Sequence, residues 1–146
     1  MRNYEAKRPS YFATPSPQLI HALHTSLQQI LSVPLSDRFE AHKVASTKVK
    51  AAVESLGLRQ LANTPAHQAN GMTAIYLPDG VTAPDLLAKL SAKGFVMAGG
   101  LHREIATKYF RFGHMGVSVM NKNLGHVDKA IVALKESLAE AGYKQA

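Results

Sequence analysis

Apolar residues in this 146-residue chain recur at two different spacings, and the spacing changes several times between the ends. From Ser16 onward, Leu19, Leu23, Leu27 and Ile30/Leu31 fall three or four apart, the period of one helix face. Ser16 suits the cap and Pro17 the first helical position, where a missing N–H is harmless. Val33-Pro34 breaks this helix. A second is expected over about 36–56, with Phe39, Ala45, Val49, Ala52, Val53 and Leu56 facing inward and Gly57 as its stop. Thr82 opens a third, with Asp85 in its first turn, Leu86, Leu87 and Leu90 as its buried side and Gly94 past its end. A fourth begins at Asn123 or Gly125, carries the stripe Val127, Ile131, Leu134 and Leu138, and ends at Gly142.

Between helices the period shortens. MTAIYLP (72–78) reads as a strand entering a Pro-Asp-Gly turn. FVMAGG (95–100) reads as a short strand running into paired glycines, and KYFRFGHM (108–115) as the last strand. A further short strand is expected at 58–61. Residues 1–15 are polar, with prolines at 9 and 15, and read as an extended arm. Short strands joined mostly by loops and covered by amphipathic helices predict an α+β fold with a small, largely antiparallel sheet.

Composition narrows the function classes. Apolar residues make up 46%, which suits a packed domain. No apolar run reaches the roughly 18 residues that a membrane helix needs. With no cysteine, disulfides and thiolate chemistry are excluded. A reducing intracellular compartment is compatible with that, and the N-terminus lacks a secretory h-region. The formal charge is +7, yet the basic residues are scattered and no aromatic-basic signature of nucleic-acid binding appears. His21 and His24 have a chelating spacing without a third ligand nearby, so no metal site is expected.

Three stretches remain as candidates for chemistry. In the last strand, parity puts Arg111 on the face opposite Phe110 and Phe112, alongside Tyr109. Arg111 is either a charge facing solvent or a planar fork for a carboxylate. The glycines of VMAGGLH (96–102) mark a tight turn or a place of close approach. In SYFATPSPQL (10–19), Tyr11 and Thr14 offer hydroxyls ahead of a helix N-terminus, where a phosphate is favoured, although these residues alone point first to ordinary capping with an exposed tyrosine.

Taken together, NYEAKRPSYFATP, TAIYLPDG, MAGGLHREIATKYFRFGHMG and the closing helix resemble, in order, the C-terminal part of alanine–glyoxylate aminotransferases. These are class V members of the fold-type-I pyridoxal-phosphate enzymes. The resemblance implies that Arg111 holds the substrate carboxylate. It implies that Tyr11 and Thr14 bind the phosphate of pyridoxal 5'-phosphate across a homodimer interface, and that Ala98–Gly100 lies near the active-site mouth. It further implies that residues 1–33 close the large cofactor-binding domain and that 34–146 form the C-terminal small domain. The Schiff-base lysine of the family lies upstream of the NYE segment, so no lysine here takes that role and this chain alone is expected to be inactive. The expected location is intracellular, cytoplasmic or mitochondrial, since the ending YKQA has no peroxisomal SKL-type signal. The contrasting expectation is a non-enzymatic α+β module for anion binding or dimerisation, with no exposed apolar face.

Overall fold

The computed structural model describes residues 2–10 and 13–145. They divide into two compact units, Met1–Leu35 and Ser36–Ala146. In the first, the polar arm contains one helical turn, α1 (Arg2–Glu5), where extended chain is expected. Helix α2 (Pro17–Leu31) follows with proline in its first turn. Its apolar stripe is exposed: Leu19 by 71%, Leu23 by 58% and Leu27 by 46%.

The second unit begins at the second residue of α3 (Leu35–Ser55). Strand β1 (Met72–Tyr76), helix α4 (Ala83–Ala92), strand β2 (Ala98–Gly99) and strand β3 (Tyr109–Gly113) come next. A single turn, α5 (Val117–Met120), and the closing helix α6 (His126–Glu140) complete it. The strands form one antiparallel sheet in the order β1-β3-β2, so the strand that bears Arg111 is central. The stretch expected as a strand at 58–61 contributes only a bridge, Gln60 opposite Ile75. Its backbone still runs beside β1: Tyr76 N–H donates to Arg59 O (2.8 Å) and Leu61 N–H to Ala74 O (2.9 Å).

The core is built from the stripes expected of the helices and from one face of the sheet. Val49 and Val53 of α3, Leu86 and Leu90 of α4, and Leu134 and Leu138 of α6 meet Ile75, Phe110 and Phe112. Each such side chain removed from water is worth about 1.5–3 kcal/mol, which makes this cluster the main force holding the sheet and helices together.

The start of α3 departs from expectation. Phe39 is 69% exposed, although it shares the helical phase of Val49 and Val53. Length explains this. A helix of 21 residues is about 31 Å long, whereas a five-residue strand spans about 17 Å. The buried positions of α3, namely Ala45, Ser46, Val49 and Val53, all lie in its second half, and the first turns overhang the sheet.

Candidate functional site

Register explains what surrounds Arg111. On β3, Phe110 stands opposite Ile75 and Phe112 opposite Thr73, on the core side. Arg111 points the other way, with Ala74 across from it on β1 and Ala98 on β2. Side chains directly opposite on neighbouring strands are in contact range, so two alanines leave the guanidinium room on both sides. The half-buried Arg111 donates from Nε to the Gly99 carbonyl at 2.8 Å. The ion pairs made by Lys48, Lys89 and Lys93 do not involve Arg111. Its terminal nitrogens therefore have no carboxylate partner among the described residues.

The paired glycines have a specific role that composition did not reveal. Tyr109 is buried, and its hydroxyl oxygen accepts from Leu101 N–H (2.8 Å) and His102 N–H (3.1 Å). These two donors stabilise the phenolate and draw the Tyr109 pKa below 10.0, His102 contributing most, with help from the Arg111 charge. The ring lies so close to the turn that a Cβ on Gly100 would sit 2.5 Å from Tyr109 Cε1 and 2.6 Å from Ala106 O. The close approach at the AGG turn is made by this chain's own tyrosine. Gly99 contributes its carbonyl, the acceptor for Arg111.

After β3 the chain turns through His114 to Gly116. His114 is fully buried, with Nε2 2.8 Å from Thr73 Oγ1. Burial is the largest cause pushing its pKa below 6.5; the Lys50 charge adds to this, and the carbonyls of His114 and Asn70 oppose it. The imidazole is neutral at pH 7, and the residue is a core group rather than a ligand. His42 on α3 secures the exit of the strand. Its Nδ1 lies 2.7 Å from Arg38 O, and its Nε2 accepts the Gly116 N–H at 3.0 Å. Only the tautomer protonated on Nδ1 satisfies both partners. The neighbour Gly116 has φ of +64°, a conformation that favours glycine. Sequence reasoning missed His42, because nothing local to α3 signals a bond to a residue 74 positions away.

Of the other expected site residues, Thr14 is exposed, in the stretch preceding α2. Tyr11 lies outside the described residues. Ser16 occupies the N-cap position of α2, yet its side chain makes no capping bond, and the first turn holds no acidic residue. Among the described residues, no group of three or more histidine, aspartate or glutamate side chains could hold a metal, and no helix is long and apolar enough to cross a membrane.

Comparison with known proteins assigns the fold to a class. No family model matches the chain. Its fold is that of the C-terminal domain of the class V pyridoxal-phosphate aminotransferases, to which it is homologous over nearly its whole length. It superimposes on pyridoxamine–pyruvate aminotransferase of Mesorhizobium loti with a TM-score of 0.83, at 27% identity over 94% of this chain and 34% of that one. Alanine–glyoxylate aminotransferase of Nostoc sp. gives 0.76, at 25% identity over 94% and 35%. In sequence, the chain is 41% identical over 140 residues to alanine–glyoxylate aminotransferase 1 of Saccharomyces cerevisiae, covering 94% of this chain and 36% of the relative. It thus spans about a third of the length of the curated relatives it matches.

Proposed function

We propose that this chain supplies the small domain and substrate-carboxylate grip of an alanine–glyoxylate aminotransferase, which moves the amino group of alanine to glyoxylate and yields pyruvate and glycine. The observation that carries the reading is Arg111: a central-strand guanidinium flanked by alanines, held by one backbone carbonyl and without a carboxylate partner among the described residues. A solvated charge needs no such seat. The 41% identity to the yeast alanine–glyoxylate enzyme supports the choice of substrates.

Arg111 acts by binding and orienting. A charge-assisted bond to the α-carboxylate is worth about 1.5–3 kcal/mol. A carboxylate fixed in this way sets the direction of the Cα–H bond, so part of the entropy of reaching the reactive geometry is lost at binding. When bound, pyridoxal 5'-phosphate supplies the electron sink for that carbon. The residues here fit its phosphate. The exposed Thr14 hydroxyl precedes a helix whose first turn has neither a side-chain cap nor an acid, so its N–H groups suit an anion. Thr14 and Tyr11 would hold that phosphate across the interface of a homodimer. The lysine that moves the proton would come from the remaining part of the protein, with residues 1–33 closing the large domain and 34–146 forming the small one. The exposed stripe of α2 favours this reading over a free-standing anion-binding module, which has no use for it.

The test has two arms. The 146-residue chain with added pyridoxal phosphate, alanine and glyoxylate should show no turnover, and measurable turnover would refute the need for an outside lysine. In the longer polypeptide that carries the lysine domain, Arg111→Ala should raise KM for alanine roughly 10- to 150-fold, the equivalent of the bond lost. An unchanged KM would remove Arg111 from the site.

A further inference from the structure

We propose that Tyr109 is a positioning residue for Arg111: it locks the 98–102 turn whose Gly99 carbonyl holds the guanidinium, so that Arg111 receives a carboxylate end-on through its two Nη groups. The inference rests on the reading of Arg111 as the carboxylate grip.

A guanidinium offers a carboxylate two kinds of two-donor edge, one shared by Nε and an Nη, the other formed by the two Nη groups. In this structure Nε–H is already given to Gly99 O at 2.8 Å, which closes the side edge. The selection holds only if Gly99 is itself fixed, and four features fix it. Gly99 pairs with Phe110 in the sheet. Gly100 N–H donates to Ala106 O at 3.2 Å. The next two N–H groups, of Leu101 and His102, end on the Tyr109 hydroxyl. The Tyr109 ring lies against Gly100 with no room for a methyl group between them. Tyr109 stands two residues before Arg111 on the same strand, so the path from strand to hydroxyl to turn to carbonyl to guanidinium closes on itself. The hydroxyl is the one side-chain polar group in that path besides the arginine.

The measurement is exchange of the Arg111 Nε–H in the 15N-labelled chain, its signal assigned by its absence in Arg111→Lys. In the unmodified chain this hydrogen should exchange slowly. In Tyr109→Phe it should exchange at least roughly tenfold faster, because both hydrogen bonds that tie the turn to the hydroxyl are lost. Amides of Ile75, Phe110 and Leu134 should keep their protection, which reports an intact core. Should Tyr109→Phe lose that core protection, Gly100→Ala makes the same test by straining the contact between the ring and the turn. Unchanged Nε–H exchange in a variant with an intact core overturns the proposal. In the lysine-bearing polypeptide, Tyr109→Phe should raise KM for alanine several-fold with kcat little changed. A KM that responds to Arg111→Ala but not to Tyr109→Phe overturns the positioning role and leaves the carboxylate grip standing. A KM that ignores Arg111→Ala removes the grip, while the exchange result still decides whether the clamp exists.

Discussion

Gly100→Ala puts the packing of Tyr109 against the turn under a quantitative test. The added Cβ would lie 2.5 Å from Tyr109 Cε1, 2.8 Å from Cδ1 and 2.6 Å from Ala106 O. Carbon atoms rest at about 3.5–4.0 Å, so roughly 1 Å of movement is required. The ring cannot easily swing aside, because its hydroxyl is tied to the amides of Leu101 and His102, and the Ala106 oxygen is backbone. Overpacking of this kind costs about 1–3 kcal/mol. Against it stands the smaller entropy of an unfolded chain with alanine, about 0.4–1 kcal/mol in favour of the variant. The clash wins, and Gly100→Ala should lose about 1–2 kcal/mol net. Gly99→Ala is the control. Its Cβ would meet nothing nearer than Leu87 Cδ1 at 4.0 Å, so only the entropic gain remains and stability should hold or rise slightly. Urea unfolding of both variants, compared at equal slope, measures the difference. If Gly100→Ala proves as stable as Gly99→Ala, the account of that turn is wrong.

Further outcomes concern the buried histidine and the closing helix. Thr73→Val should cost about 1–3 kcal/mol in the urea midpoint, because His114 Nε2 would be left buried without a partner. His114, held below its ordinary 6.5 by burial, takes up its proton more readily when unfolded. Its contribution is therefore full above 6.5 and lost as pH falls, by no more than about 1.4 kcal/mol per pH unit. His114→Gln should flatten the dependence of the thermal midpoint on pH between 7.5 and 5.5; an equally steep fall in the variant would assign it to other groups. Leu134→Ala, at a fully packed position, should lose about 2–5 kcal/mol by calorimetry or urea, and a loss below 1 would mean that α6 is not docked as described.

Helix positions were the most legible part of the fold. Leu86/Leu90 and Leu134/Leu138 are buried as their spacing demands, because a period of 3.6 leaves little choice of face. Phe39 shows the limit of that reasoning: phase fixes a direction, while coverage depends on how far the sheet extends. The stretch 58–61 shows another, since whether β-prone residues become a full strand is decided by available partners. In the site, alternation along β3 was enough to separate Arg111 from the two phenylalanines. What stayed hidden were the bonds made by backbone atoms. The Gly99 carbonyl, the amides of Leu101 and His102 and the N–H of Gly116 carry no side-chain identity that a sequence could display. The double glycine was the available signal, and it marks where a tyrosine ring needs space.

The register that places Arg111 between two alanines also guards the fold against its nearest competitor. Sliding β3 by a single residue would drive a permanent cation into hydrocarbon and expose both phenylalanines to water. A misaligned sheet of this sequence is thus rejected during folding by the same group proposed to select the substrate, and a neutral replacement at that position would loosen proofreading as well as recognition.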